Sequence, residues 1–595
     1  MLRYPRLLVG LVGALLAAPL ATAADELPVV DSIKELAELS KNGKLFDKEQ
    51  YRKVRSLCCK AFEERFPNEI KEAYGDDLEA LNTWLEKQKE IKEEFYTAID
   101  EKLDKIIDAL RIFRDLWKKS PETVAKYANL AIAVAVVWDD PRALYDYRGH
   151  QARTKSILPS DYGKMTAVEC FQFYVDHQKE LKGKETIDRL QALPWEFLVY
   201  VVNDKTPVAE REWAIKNYLA KRPMIGRVYS EVAYDHEMLR TNNAVCKLSG
   251  HPYTLESIRA QGGVCAMQAD FASRVGKSLL VPAAYVGGES AFQGLHAWVM
   301  WVEVKSATAA KLIFSLESHG RYLGDLYYTG TLRDPQTGQQ ILDRDMERRL
   351  SAVAIDRQGK RQAELGMRFY DEICDYRKID RARKVLFLDK CLSLCQFNER
   401  AWTELARQVK DGEIDAKLKE VVLRHVEQML KTFEKYPDFT WKIANDLILI
   451  QSDKFFRNQF YERLTTLYEK GGRPDLACEA RLKLAEFQGE EEKWMLAAKG
   501  LATTIQKFPA EGRYVPKLVT RLQDVCDNYK GGPEFLGQQY LELLKKVPPK
   551  RGDEPSKYAI EMHEKAIKFF KDQKGKEKTV KDLETRLASV KAGRS

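Results

Sequence analysis

The sequence predicts a multidomain α+β protein in which a mixed central region lies between two helical regions. The chain has 595 residues, which is enough for several domains of ordinary size. Amphipathic helical patterns dominate both ends of the chain. Short β-branched and aromatic runs, with more Pro and Gly, are confined to residues 159–344. We therefore expect a helical region at 24–158, an α+β domain at 159–344 and a helical domain at 345–595.

The first residues have the composition of a secretory signal peptide. Met1–Arg6 contains two arginines, Leu7–Leu20 is mostly apolar, and Ala21–Ala23 supplies small residues. This pattern predicts a signal peptide over residues 1–23, cleaved near Ala23, and a secreted or periplasmic protein. An uncleaved membrane anchor is the alternative, but the apolar run is short for a span of about 20 residues.

Overall composition excludes several classes of protein. The net charge is +8, which is small for this length and argues against a nucleic-acid partner. An aromatic content of 10% excludes global disorder. The most apolar internal segment, Ala128–Trp138, is too short to cross a membrane and predicts a buried core helix. After signal cleavage we therefore expect no stable membrane span.

The two flanking regions carry different helical patterns. In Asp76–Lys119 apolar residues recur every three or four positions, which predicts one or two long amphipathic helices. They are expected to pack in a bundle, with a partner-binding coiled coil as the alternative. Leu464–Lys483 predicts two helices joined by a Gly-Gly turn. Pro437, Pro474 and Pro509 recur at a period compatible with a tetratricopeptide-like solenoid, although a plain helical domain remains an alternative. Either helical region could bind protein partners.

The central region combines predicted strands with predicted helices. Helices are expected at Val208–Lys221 and Ala266–Leu279, because both segments have helical periodicity. Short runs rich in β-branched and aromatic residues predict strands. These runs are Val199–Val202, Leu280–Val286, Ala297–Val304 and Lys311–Leu316.

Cys265 is the first candidate for chemistry because it opens the predicted helix after Gly262-Gly263-Val264. The first turn of a helix has free N–H groups and a partial positive charge, so we expect a lowered thiol pKa. The two glycines would let the backbone approach a substrate closely. Small residues follow Cys265 at helical spacing and would let a sheet approach this face: Ala269, Ala272 and Gly276. In the alternative interpretation, Cys265 is one more small core residue on that face.

His296 begins a predicted strand and is the candidate base for Cys265. A neutral imidazole can take the thiol proton, and a third group then has to orient the ring. In an antiparallel hairpin the end of the second strand returns beside the start of the first. Glu317 is therefore expected beside His296, with His319 and Ser318 as alternatives. Gln261 is a candidate oxyanion donor together with the Cys265 N–H, and the alternative for Gln261 is a solvated loop residue.

These segments resemble the transglutaminase-like superfamily, which is related to the papain-fold cysteine proteases. The resemblance lies in Gly263-Val264-Cys265, Leu280–Ala283 and His296-Ala297-Trp298, and it extends over residues 194–322. It implies a Cys-His-Asp triad with Cys265 as nucleophile and His296 as base. The chain departs from the family at the third position, where Glu317 would replace the aspartate.

The resemblance implies a function in thiol acyl transfer. We expect an exported protein that hydrolyses a peptide or amide bond in a protein or peptide substrate. Hydrolysis is favoured over cross-linking because no acidic calcium loop is visible. Cys391 and Cys395 share a helix face and are expected in the core, and no cofactor or metal is expected. The alternative is a weak or inactive transglutaminase-like scaffold that binds peptides and carries helical interaction domains.

Overall fold

The computed structural model describes residues 29–183, 185–289, 295–307, 312–320, 329–551 and 554–593. These residues form a mostly helical α+β protein with one five-stranded antiparallel sheet. The helical flanks and the mixed central region expected from the sequence are confirmed at this level. The predicted signal peptide, residues 1–23, lies outside the described residues.

The N-terminal region is helical, as predicted. Its helices are α1 (Asp31–Lys41), α2 (Tyr51–Arg65), α3 (Pro67–Tyr74), α4 (Leu78–Lys87), α5 (Lys89–Ala98), α6 (Ile106–Lys119), α7 (Pro121–Lys126), α8 (Ala128–Trp138) and α9 (Arg148–Thr154). The amphipathic stretch 76–119 forms three helices rather than one or two. The break after α4 falls at Gln88, whose backbone (φ −106°, ψ 50°) is not helical. Apolar periodicity passes through this break, so the pattern alone could not locate it.

Helix α8 is buried from Leu130 to Val137, which confirms the predicted core helix. In the part of the chain that the structure describes, no helix combines the length and the apolar composition needed to cross a membrane. All ten cysteines are free. Cys391 and Cys395 are buried, as expected for core residues.

The central region combines helices with the sheet. The helices are α10 (Ala167–Asp176), α11 (Gln178–Lys182), α12 (Arg189–Ala192), α13 (Trp195–Val202), α14 (Val208–Tyr218), α15 (Ile225–Ser230), α16 (His236–Arg240), α17 (Leu255–Gln261) and α18 (Cys265–Ser278). The strands are β1 (Ala283–Glu289), β2 (Leu295–Ala307), β3 (Leu312–His319), β4 (Gly330–Arg333) and β5 (Gln340–Leu342). The prediction of a strand at Val199–Val202 is wrong, because these residues end α13. That helix is buried on nearly all sides, and a short apolar run does not distinguish such a helix from a strand.

The sheet has helices on both faces. Its strand order is β3-β2-β1-β4-β5, and every adjacent pair is antiparallel. Side chains alternate between the two faces along a strand. One face carries Ala283 and Trp301 and packs on α15 and α18; a Cβ added to Gly276 of α18 would lie 3.1 Å from the Ala283 Cβ. The opposite face carries Trp298 and packs on α13 and on the helix that follows β5.

The C-terminal region is helical, as predicted. Its helices are α19 (Asp343–Arg368), α20 (Tyr370–Tyr376), α21 (Arg381–Leu394), α22 (Glu399–Lys410), α23 (Ala416–Thr432), α24 (Pro437–Leu447), α25 (Lys454–Lys470), α26 (Pro474–Glu490), α27 (Trp494–Lys507), α28 (Val515–Cys526), α29 (Gly532–Lys546), α30 (Lys557–Lys571) and α31 (Glu577–Lys591). Two short strands, β6 (Lys550–Arg551) and β7 (Glu554–Pro555), pair between α29 and α30. Helices α25 and α26 confirm the predicted pair with its Gly-Gly turn. From α25 to α31 each helix packs against the next one along the chain.

The hydrophobic cores cross the boundaries expected from composition. One core extends from Cys59 to Val353 and joins the N-terminal helices to the sheet. A second core packs α1 and part of α2 against helices of the C-terminal region, and a third lies within residues 478–590. The change in composition near residue 158 therefore coincides neither with the first strand, which begins at Ala283, nor with a boundary in the packing.

Lys277 of α18 is fully buried, and its ammonium group lies beside Asn203. Its Nζ donates a hydrogen bond to Asn203 Oδ1 at 2.5 Å, and its side chain is shielded from solvent. Burial disfavours the charged ammonium and lowers the Lys277 pKa to about 8. Because the unfolded chain keeps its ordinary lysine pKa near 10.4, the unfolded state binds more protons between these two values.

Stability is therefore expected to rise with pH through this window. The Lys277 contribution should increase the free energy of unfolding by about 2 kcal/mol between about pH 7.5 and pH 9.5. In Lys277→Met this increase should disappear, while Lys277→Arg should lower stability at both values because arginine stays charged. Urea unfolding of the three proteins at both pH values measures the effect. An identical pH dependence in wild type and Lys277→Met would contradict it.

Candidate active site

Cys265 is positioned by the turn between α17 and α18. Gly262 has a left-handed backbone (φ +84°), and a Cβ there would lie 2.4 Å from the Ala233 carbonyl oxygen. The Gly263 N–H donates to the same oxygen at 2.9 Å, and the Gly263 carbonyl accepts from the Asp235 N–H at 3.0 Å. The glycines therefore make room for this neighbouring backbone segment. The expected close approach of the backbone to a substrate stays a prediction.

The Cys265 sulfur is surrounded by backbone donors. It is half-buried and lies close to the backbone N–H groups of Ala297, of Ala266 and of Cys265 itself. These donors and the charge of Arg153 favour the thiolate, but burial has the larger effect and raises the pKa of the Cys265 thiol. The lowered pKa expected from the helix start is therefore wrong for the free protein. Desolvation of the thiol therefore has a larger effect on its pKa than the backbone N–H groups at the helix start.

The small face of α18 has the predicted role. Gly276 packs against Ala283 of β1, so the helix lies close to the sheet. As a result the sulfur at the beginning of α18 reaches the beginning of β2. The N–H that meets the sulfur belongs to Ala297, the residue after His296. The structure thus brings the predicted nucleophile and the predicted base to neighbouring positions at one end of the sheet.

The His296 ring leaves β2 on the face that also carries Trp298. The two ring centroids are 6.2 Å apart, whereas α18 packs on the other face. Nε2 of His296 lies 2.5 Å from the Gly320 carbonyl oxygen. A carbonyl only accepts, so this contact assigns the proton to Nε2 and makes Nδ1 the acceptor nitrogen of the neutral ring. Burial lowers the His296 pKa, which favours that neutral form.

Glu317 does not lie beside His296, which corrects the sequence prediction. It pairs with Trp301, five positions further along β2 and on the opposite face of the sheet. The predicted hairpin ended its first strand at Val304, but β2 continues to Ala307 with an irregular register after Val304. This extension shifts every partner on β3. The carbonyl of Gly320 occupies the orienting position that had been assigned to a carboxylate.

The alternatives for the third group also lie elsewhere. His319 pairs with Val299, and its Nε2 lies 2.9 Å from Ser230 Oγ. Ser318 pairs with Met300. Gln261, the predicted oxyanion donor, is the last residue of α17, and among the described residues no hydrogen bond fixes its side chain. The N–H groups at the start of α18 stay candidates for oxyanion donors.

Sequence reasoning missed the wall of the site. The pKa of the Tyr285 phenol is raised, mainly by burial and to a smaller extent by the nearby Cys265 thiol. The His150 ring lies 4.9 Å from the Tyr285 ring, and Arg153 of the same helix acts electrostatically on the thiol. Strand alternation could have identified Tyr285, which shares a face with Ala283. Nothing in the sequence connects α9 to this site.

A separate cavity of about 480 Å³ lies away from this site. Its wall includes Trp195 and Tyr200 of α13, Tyr51 of α2 and ion-paired arginines of α19, but neither Cys265 nor His296. The ion pair of Arg361 with Glu196 is typical of its wall. This cavity is part of the contact between the N-terminal, central and C-terminal helices.

Comparison with models of known protein families finds no match to this chain, and comparison with curated proteins finds none either. Among the described residues, no group of three or more His, Cys, Asp or Glu side chains could hold a metal ion. What the site does therefore rests on its own residues. These are a half-buried thiol at a helix start, the backbone amides close to the sulfur, and an imidazole on the other face of the adjoining strand.

Proposed function

We propose that this protein is an exported transglutaminase-like enzyme that carries out thiol acyl transfer, with hydrolysis of a peptide or amide bond as its reaction. Cys265 is the nucleophile and His296 the base. One observation supports this most strongly. The sulfur at the start of α18 lies close to the N–H of Ala297, the residue after His296, while the Gly320 carbonyl fixes the tautomer of the imidazole.

The reaction begins from a neutral pair. Burial raises the pKa of Cys265 and lowers that of His296, so both groups are uncharged in the free protein. For proton transfer the His296 side chain gives up its contact with the Gly320 carbonyl and turns from the Trp298 face towards α18, where Nδ1 takes the thiol proton as the sulfur attacks the carbonyl carbon. The backbone N–H groups at the helix start stabilise the oxyanion.

Breakdown of the tetrahedral intermediate releases the first product. The carbon–nitrogen bond breaks, and the imidazolium gives its proton to the departing amine, which leaves a thioester on Cys265. Water then attacks the thioester carbonyl and loses a proton to Nδ1. The carbon–sulfur bond breaks, the thiolate regains that proton, and a carboxylic acid is released.

A binding protein without catalysis is the second candidate. It is favoured by the position of Glu317, since the carboxylate that the family motif calls for pairs with Trp301 instead. In this case the central domain would hold a peptide, and the helical flanks, including a tetratricopeptide-like C-terminal region, would bind protein partners. The two candidates differ in whether Cys265 forms an acyl intermediate.

An activated acyl donor distinguishes the candidates. Full-length protein treated with 4-nitrophenyl acetate is expected to release a burst of nitrophenolate and to carry a hydroxylamine-sensitive acetyl group on Cys265. Peptide mapping by mass spectrometry locates the group. Cys246 is the matched control, because it is the other half-buried cysteine. The burst should vanish in Cys265→Ala and persist in Cys246→Ala. Equal acetylation of the two thiols, or none, would support the binding protein.

A further inference from the structure

Arg153 of α9 is an exposed cation whose charge acts on the Cys265 thiol. The ring of His150 packs against Tyr285, and Arg153 lies one turn further along the same face of α9. Its charge acts on the Cys265 thiol, on the Tyr285 phenol and on His150. In the described part of the chain no carboxylate forms an ion pair with Arg153. A positive charge without a carboxylate partner among these residues therefore acts on the proposed nucleophile.

Asn243 holds the Arg153 guanidinium from one side. Nε–H of Arg153 donates to Asn243 Oδ1 at 3.1 Å. Asn243 and Asn242 both have left-handed backbones, with φ +68° and φ +49°, and the Asn243 N–H donates to the Met238 carbonyl at 2.8 Å. Such conformations cost energy and persist where their surroundings fix them. The hydrogen bond to Asn243 uses only Nε of Arg153, and the Asn243 side chain is uncharged. The two Nη groups of the planar guanidinium can therefore still bind a carboxylate.

We propose that Arg153 binds a carboxylate of the substrate beside the Cys265 sulfur and thereby selects anionic acyl donors. The inference rests on the proposed function, since it names the substrate class of the same site. The carboxylate can belong to an acidic side chain near the scissile bond or to a free C-terminus, because the guanidinium recognises both through the same two oxygens.

Two alkylating reagents test the charge at the thiol. Iodoacetate is anionic and iodoacetamide is neutral, and both react with the same thiolate, so their rate ratio at Cys265 is independent of the thiol pKa. Arg153→Gln is expected to lower the iodoacetate-to-iodoacetamide ratio about three- to eightfold at low salt, and added salt should reduce the difference. Arg148→Gln is the matched control on the same helix, because Arg148 is paired with Asp146. Equal ratios in wild type and Arg153→Gln would overturn the proposal.

Protection of Cys265 from iodoacetamide identifies the source of the carboxylate. The competing peptides are Ac-Gly-Glu-Gly-amide, Ac-Gly-Gln-Gly with a free C-terminus, and the neutral Ac-Gly-Gln-Gly-amide. Stronger protection by one of the two anionic peptides, lost in Arg153→Gln, supports the proposal and names the source. Equal protection by all three overturns it. If the alkylation ratio changes but Cys265 is not acetylated by 4-nitrophenyl acetate, Arg153 binds anions and the proposed enzyme activity is rejected. Failure of the Arg153 proposal and failure of the proposed function are therefore distinguishable.

Discussion

Replacing His296 with alanine is expected to slow acylation of Cys265 by about 10²- to 10⁴-fold at neutral pH. The reason is that the free thiol is protonated, since burial raises its pKa, and another group must remove the proton during attack. His296 is the proposed base: it precedes Ala297, whose N–H lies close to the sulfur, and its Nε2–H donates to the Gly320 carbonyl. The measurement is the nitrophenolate burst rate of His296→Ala against wild type.

The pH profile separates a catalytic from a structural effect. Burial lowers the His296 pKa, so the wild-type rate should reach its plateau below the ordinary histidine value of about 6.5. Without the base, the rate should follow ionisation of the thiol, whose pKa is raised, and keep increasing beyond about pH 8.5. The two curves should therefore converge at high pH. A misfolded site would lower the rate at every pH.

His319→Ala is the matched control for this prediction. His319 lies on the neighbouring strand, contacts Ser230 and the Tyr229 ring, and faces away from the His296 side of the sheet. Its loss should leave the burst rate and the pH profile unchanged. If His296→Ala acylates Cys265 as fast as wild type at neutral pH, the assignment of His296 as the base is wrong.

The sequence was sufficient to place Cys265 at the beginning of α18 and close to the sheet, because local rules govern that part of the fold. A Gly-Gly turn, a helix start and a face of small residues together predict that Cys265 meets the sheet, and these are properties of adjacent residues. The β-branched and aromatic run after His296 likewise predicted its position near the beginning of β2, whereas alternation along the strand turns its ring to the face opposite α18. The pKa of the thiol was not predictable, because it depends on burial by residues distant in the chain, such as Tyr285.

Register and long-range packing limited the remaining predictions. Glu317 was assigned from an ideal hairpin, and a longer β2 with an irregular register moved it to Trp301. The run Val199–Val202 forms the end of a buried helix, because a segment surrounded by core shows no amphipathic period. Arg153 carries no local signal at all, since only the fold brings α9 to the thiol.

Arg274→Met is expected to destabilise the protein by about 3–5 kcal/mol. Arg274 of α18 is fully buried, and its Nη2 donates to Glu210 Oε2 at 2.7 Å while its Nε donates to Thr206 Oγ1 at 2.8 Å. It also lies 3.5 Å from Asp270 Oδ2. Methionine fills similar volume but leaves two buried carboxylates without a cation, which is the costly case for a buried ion pair. Urea unfolding followed by tryptophan fluorescence measures the loss.

The pH dependence of this loss identifies its cause. Burial already raises the Glu210 pKa above its ordinary value in the presence of the arginine, and removing the arginine raises it further. A carboxyl with a raised folded-state pKa favours folding at low pH and loses that contribution as pH rises, so the deficit of Arg274→Met should shrink towards about pH 5. Arg259→Met, which breaks a half-exposed contact with Glu231, should cost about 0–1 kcal/mol. A pH-independent deficit would instead indicate lost packing.

Because Glu210 also accepts the Leu255 N–H that begins α17, the same variant should loosen the turn that holds Cys265.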